Sequence, residues 1–191
     1  SLPNGERPSP DQELDPYGIW IAEVMLQQTQ LVVVLPYWQR WMVAFPTVEA
    51  LASASLEQVR LQWQGLGYYS RARRLHEAAQ MLVDQPWPRE LESWMALPGI
   101  GRTTAASILS SAFNAPLPIL DGNVKRVLAR LKAHPRPPAR DQKLFWRWSE
   151  ALLDPLRSRD FNQALMDLGA TVCLPRQPSC ERCPFRVHCA A

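Results

Sequence analysis

The chain reads as an all-α protein, and three observations predict this. From Pro16 onward apolar residues recur at helical spacing, and no stretch alternates as a half-buried strand would. Its eighteen prolines mostly fall between these stretches, where they punctuate helices. Its four cysteines all lie in the last 19 residues, as Cys173-x6-Cys180-x2-Cys183-x5-Cys189. That places a ligand-bearing loop after the helices rather than a disulfide framework spread through the fold.

Taken in order, the segment 1–15 is rich in proline and polar residues and reads as a loop. Asp15-Pro16 is a helix start, and Ile19–Gln28 follows with Trp20, Ile21, Val24 and Met25 at helical spacing. Thr29 is placed to cap a second helix running to about Phe45, which Pro36 should distort. Short helices are expected over Thr47–Ala52 and Ser55–Gly65, a longer one over Tyr69–Asp84, and another over Glu90–Leu97. Arg102–Phe113, Asp121–Lys132, Arg140–Leu153 and Asp160–Val172 complete the set. There is no internal repeat and no low-complexity tract.

At 191 residues the chain can bury one good core or divide into two small lobes. No apolar run approaches a membrane span and nothing resembles a signal peptide, so no membrane partner is expected. Cysteines confined to one cluster favour a reducing interior compartment. Lys and Arg total 21 against 18 Asp and Glu, a net charge of +3. So mild an excess does not announce a nucleic-acid binder; that reading has to rest on where the charges lie. The chain starts at Ser1 and stops two residues after Cys189, and it reads as trimmed at both ends.

Four thiolates in one short loop form a tetrahedral ligand set. Zinc ribbons pair their ligands as two CxxC hairpins, and here only Cys180 and Cys183 are so paired. The spacing suits a larger object such as a [4Fe–4S] cluster; zinc, disulfides and free thiols are the alternatives it leaves open. His188, beside Cys189, reads as a bystander.

Leu97-Pro98-Gly99-Ile100-Gly101-Arg102-Thr103-Thr104-Ala105 lies between two helical segments. Without Cβ atoms, Gly99 and Gly101 let the backbone turn sharply and bring amides up to an anion at the N-terminus of the next helix. Ile100 would point inward. This pattern grips DNA backbone without reading sequence, although an ordinary tight turn uses the same residues. Downstream, Asp121 opens a helix and suits an N-cap bonded to the Asn123 or Val124 amide. The Pro-rich loop Asn114-Ala115-Pro116-Leu117-Pro118 precedes it, and a carboxylate about 20 residues after a glycine hairpin is the arrangement of helix–hairpin–helix DNA glycosylases.

With these pieces together the chain resembles the helix–hairpin–helix DNA glycosylase superfamily, and within it the MutY-type adenine glycosylases. The resemblance covers nearly all of Asp15–Ala190. Its most specific stretches are Asp15-Pro16-Tyr17-Gly18-Ile19-Trp20, Glu23-Val24-Met25-Leu26-Gln27-Gln28-Thr29-Gln30 and Gly65-Leu66-Gly67-Tyr68-Tyr69-Ser70-Arg71-Ala72-Arg73. The hairpin, the LDGNVKRVLAR segment, Phe161–Ala170 and the cysteine loop complete them. The resemblance implies a two-lobed all-α fold. A six-helix barrel lobe would span 16–116, with its hairpin at 97–105. A cluster lobe would combine 1–15 and 117–191, with a [4Fe–4S] cluster on Cys173, Cys180, Cys183 and Cys189. It also implies a monomer acting in the cytoplasm at the bacterial nucleoid, on double-stranded DNA containing A:8-oxoguanine or A:G mispairs.

The implied chemistry is hydrolytic removal of a flipped adenine. Glu23 is the implied general acid, protonating N7 of a poor leaving group. Asp121 would stabilise or briefly capture the oxocarbenium-like sugar, with Asn123 orienting Asp121, water or the sugar. Gln28 and Tyr68 would fill the gap near the opposing base, with Thr29 and Leu66 nearby; Gly99, Gly101 and Thr103 would meet the backbone, as would Arg176 on the cluster loop. Arg71, Arg73 and Arg74 read as a solvated helix face rather than a phosphate track. Strand-cleaving relatives carry a lysine where this chain has Thr103, and threonine forms no Schiff base, so a monofunctional enzyme is implied. Two departures stand out. Only Leu2-Pro3 matches the N-terminal Leu-Pro-Trp segment of MutY-type proteins, and the chain has no room for their C-terminal Nudix-like domain, so it reads as a catalytic portion. The alternatives are a monofunctional thymine or uracil mismatch glycosylase of the same fold and a non-catalytic DNA-binding module.

Overall fold

Four helices begin at a side-chain cap that the sequence offers. In the computed structural model, which describes residues 8–191, Asp15 accepts the Tyr17 amide at 3.1 Å and starts α1 (Pro16–Leu26), with proline at its first position. The expected cap of α2 (Leu31–Ala44) is not one: the capping position falls on Gln30, which makes no side-chain cap bond. Thr29 is drawn elsewhere, its Oγ1 donating to the Gln27 carbonyl and accepting from Arg71. Pro36 lies inside α2 without ending it; the Val32 carbonyl that loses its amide partner belongs to an exposed residue, open to solvent. Thr47 caps α3 (Val48–Ser53), and Ser55 with Gln58 forms a reciprocal capping box on α4 (Leu56–Trp63). The remaining helices are α5 (Ser70–Leu82), α6 (Leu91–Met95), α7 (Arg102–Phe113), α8 (Gly122–Leu131), α9 (Gln142–Leu152) and α10 (Ser158–Thr171). The expected helix over Arg140–Leu153 starts later, because Pro137-Pro138 sets up a 3₁₀ turn over Pro138–Asp141 first. Among the described residues there is no strand, so the fold is all-α, as its periodicity predicts. Leu2-Pro3 lies outside the described residues.

The described residues divide into two compact units, Leu14–Ala112 and Phe113–Ala191, the second also taking 8–13. The first is built around α1, which is apolar on nearly every side; Trp20, Ile21 and Met25 are fully buried. Four tryptophans, Trp20, Trp41, Trp63 and Trp94, are also fully buried in this unit. Trp41 meets Trp63 edge-on at 5.6 Å, and Trp94 stacks on Trp87 at 6.0 Å. Removing one such side chain to Ala typically costs about 3–5 kcal/mol, so this unit is anchored by its aromatics. In the second unit, Val124 and Leu128 of α8, Phe145 of α9 and Leu165 and Leu168 of α10 form the core. The Pro-rich loop is tied to it by side chains. Asn162 donates to the Leu117 carbonyl at 2.9 Å, Ser149 donates to the Ile119 carbonyl at 2.7 Å, and Asn114 donates to the Leu156 carbonyl and accepts the Arg159 amide. That loop therefore delivers Asp121 to a fixed place.

Candidate active site and nucleic-acid interface

Glu23 sits mid-helix in α1, and its side chain is half-buried rather than solvent-facing. Its Oε1 accepts a hydrogen bond from the Ser107 hydroxyl of α7 at 2.8 Å. Ser107 is itself buried, one turn beyond Thr103 and so on the same face of α7. A serine hydroxyl can donate to a carboxylate or accept from a carboxylic acid, so it can hold Glu23 in either protonation state.

The hairpin joins α6 to α7. The Ile100 amide closes it onto the Leu97 carbonyl at 3.2 Å and Ile100 is buried, while the amides of Gly99 and Gly101 have no partner among the described residues. The two glycines differ. Gly99 has φ +82°, and a Cβ there would meet the Arg74 stem at 3.2 Å; a Cβ on Gly101 would meet nothing within 4 Å. Only Gly99 is demanded by the fold, so a need for glycine at position 101 would come from a ligand. Gln27, at the end of α1, reaches across to the Gly99 carbonyl at 3.4 Å and Thr104 Oγ1 at 3.3 Å.

Gln28 and Tyr68 are exposed and left-handed, at φ 59° and 48°. That conformation costs a residue with a Cβ about 1–2 kcal/mol. Leu66, expected beside them, is buried, and its carbonyl accepts from Arg71. Arg71 is not on a solvated face. It is buried, and its guanidinium donates to the carbonyls of Val24, Met25, Gln27, Leu66 and Gly67 and to Thr29 Oγ1. Burial pushes its pKa below the ordinary arginine value. Arg73 pairs with Glu77 at 2.9 Å, and Arg74 is exposed.

In the second unit Asp121 is the N-cap of α8, its Oδ1 accepting the Val124 amide at 2.7 Å. Its Oδ2 has no hydrogen-bond partner among the described residues. Asn123 accepts from Arg126 at 2.9 Å, and the same guanidinium donates to the carbonyls of Gly169 and Cys173. Gly169 was invisible as a site residue in the sequence. A Cβ there would come within 2.5 Å of the Asn123 Cβ, so glycine lets α10 press against the first turn of α8.

The four cysteine thiols are free, and all four line one apolar cavity of about 410 Å³ with Val127, Leu131 and Leu168. Among the described residues no three His, Cys, Asp or Glu side chains converge closely enough to hold a single metal ion. Arg130 donates to the Cys173 sulfur at 3.3 Å and to the Leu174 and Pro175 carbonyls, fixing the turn that carries exposed Arg176. No described helix is long and apolar enough to cross a membrane.

Comparison with known proteins gives the chain's family and fold. The family model of HhH-GPD superfamily base excision DNA repair proteins matches residues 21–150. Adenine DNA glycosylases of Rattus norvegicus and Homo sapiens are each 46% identical over 198 residues, covering 100% of this chain but 38% and 36% of theirs. The chain thus spans well under half the length of these curated relatives. A solved thermostable thymine-DNA glycosylase matches with TM-score 0.84 at 28% identity, over 98% of this chain and 89% of that one. A non-covalent endonuclease III–DNA complex matches in fold, with TM-score 0.78 at 24% identity over 97% and 87%. The chain belongs to the HhH-GPD superfamily of base excision DNA repair proteins.

Proposed function

We propose that this chain is the catalytic portion of a monofunctional adenine DNA glycosylase, which binds double-stranded DNA as a monomer and releases adenine mispaired with 8-oxoguanine or guanine. The observation that carries the reading is the half-buried Glu23 carboxyl held at 2.8 Å by Ser107 from the hairpin helix. A carboxyl so placed can hold or give up a proton without losing its hydroxyl partner, as delivery of a proton to N7 of adenine requires. Asp121 supplies negative charge to the developing sugar cation through the oxygen its cap bond leaves over, and Asn123 steadies the turn beside it. The unpartnered Gly99 and Gly101 amides and Arg176 take phosphates, while Gln28 and Tyr68 enter the space of the flipped base. Thr103 offers no amine, so the strand stays intact after base release.

Cys173, Cys180, Cys183 and Cys189 hold a [4Fe–4S] cluster in this reading. A cavity of about 410 Å³ lined by soft thiols suits an object larger than one ion bonded to sulfur at about 2.3 Å. The cluster supplies a rigid cross-link for the loop; a purified chain with stoichiometric zinc and no iron, after anaerobic expression with ample iron, would defeat this.

A second reading, thymine or uracil release from mismatches, draws on the likeness to the thymine-DNA glycosylase structure. One assay decides. Duplexes carrying A:8-oxoguanine, T:G and U:G are incubated with the protein, then treated with alkali to nick abasic sites. Alkali-dependent nicking at adenine is expected; nicking only at thymine or uracil transfers the chain to the second reading, and none at any duplex leaves a DNA-binding module.

A further inference from the structure

We infer that Arg71 is a positioning residue, a buried guanidinium that sets Gln28 and Tyr68 as one rigid wedge for the DNA stack. The inference rests on the reading that these two side chains enter the duplex. Its own support is independent of that reading.

Arg71 joins two turns far apart in sequence. Its Nη1 takes the carbonyls of Val24, Met25 and Gln27 at the end of α1, which has no basic residue in its last turn to cap it. Its Nη2 takes Thr29 Oγ1 and the carbonyls of Leu66 and Gly67. The guanidinium carbon lies 5.3 Å from the ring centroids of both Trp63 and Tyr68. Trp63 is fully buried and also donates to the Gly67 carbonyl at 2.9 Å. The cation is therefore within reach of one ring anchored in the core and one that is exposed.

The acceptors are neutral. Among the described residues no carboxylate pairs with Arg71, although its side chain is buried. A buried cation spent on neutral carbonyls is a costly way to close two loops. What it secures is unusual. Each turn presents one exposed side chain in the left-handed region, Gln28 at φ 59° and Tyr68 at φ 48°, and Tyr68 is 62% exposed. Strained residues with large exposed side chains persist where the surroundings over-determine them, and they gather at functional sites. A planar fork with five donors can bridge both turns at fixed geometry; an ammonium cannot.

The test is a double-mutant cycle read by single-turnover adenine release from an A:8-oxoguanine duplex. Arg71→Lys is expected to slow release at least about tenfold while binding of undamaged duplex changes less than about threefold. In a Tyr68→Ala background the same substitution should cost less than about threefold, because the ring that Arg71 holds is already gone and the wedge is broken. Equal losses in both backgrounds would make Arg71 a general support of the fold and overturn the proposal. Thermal melting checks that the variants fold; if Arg71→Lys does not, Thr29→Val, which deletes one acceptor of the same fork, carries the cycle. A second readout does not depend on base release. In a duplex whose target adenosine bears a 2′-fluoro group that blocks release, 2-aminopurine beside the target should brighten on binding wild type and not on binding Arg71→Lys. Brightening with the wild type but no release from the normal duplex would sink the adenine reading and leave the wedge standing. Equal brightening by both proteins would overturn the wedge alone.

Discussion

The two carboxylates proposed for catalysis are held in opposite ways. Asp121 is the cap of its own helix and accepts from a backbone amide three residues on. Glu23 is mid-helix and accepts from a side-chain hydroxyl 84 residues away. An amide N–H only donates, so the Asp121 bond requires a lone pair and never a proton at that oxygen. A hydroxyl works either way, so the Glu23 bond survives gain or loss of a proton. One holder suits a standing negative charge and the other suits proton exchange. Local structure alone separates the roles of two otherwise similar groups.

That contrast breaks most visibly when each acid loses its charge. Glu23→Gln keeps the shape and removes the proton, and single-turnover adenine release should slow by about 10²–10⁴-fold while DNA binding persists. A rate near wild type would return Glu23 to a structural role. Asp121→Asn should cost about 10²–10³-fold through loss of charge opposite the sugar cation. It should melt like wild type, since Asn caps a helix as well as Asp; an unfolded variant would make Asp121 structural first. Ser107→Ala probes the holder rather than the acid. Loss of one hydrogen bond, about 1–1.5 kcal/mol, should slow release about tenfold with DNA affinity unchanged. An unchanged rate would show that Ser107 merely fills space. The smallest effects belong to the hairpin. Gly99→Ala should lower stability by about 1–2 kcal/mol because its φ is positive and the Arg74 stem is close. Gly101→Ala should leave the melting temperature alone and weaken binding to all duplexes alike; a matching loss of stability at both glycines would erase the distinction.

Much of this was legible in the sequence, and what was not has a common cause. Periodicity and capping residues located α7 over Arg102–Phe113, and Asp121 is the cap its position promised, because these signals are local. The cysteine spacing pointed to one ligand loop; the four thiols line one cavity, and among the described residues no three of them converge on a single ion. Arg71 was misread because Arg71-Ala72-Arg73-Arg74 looks like a charged surface; nothing local says that two distant turns leave six acceptors around the first of these arginines. Ser107 was missed for the same reason, being an ordinary small residue of an apolar helix until α1 is packed beside it. Gly99 and Gly101 look equivalent in the motif, and only the backbone angle and the Arg74 stem tell them apart.

The most direct measurement of the central claim alters the substrate instead of the protein. If Glu23 delivers its proton to N7 of adenine, a duplex carrying 7-deazaadenine opposite 8-oxoguanine offers carbon where the proton must land. The account predicts that wild type binds this duplex as tightly as the adenine duplex and releases no base from it under single-turnover conditions, leaving no alkali-sensitive site. Release of 7-deazaadenine at a rate close to that of adenine would contradict it, and with it the role assigned to Glu23.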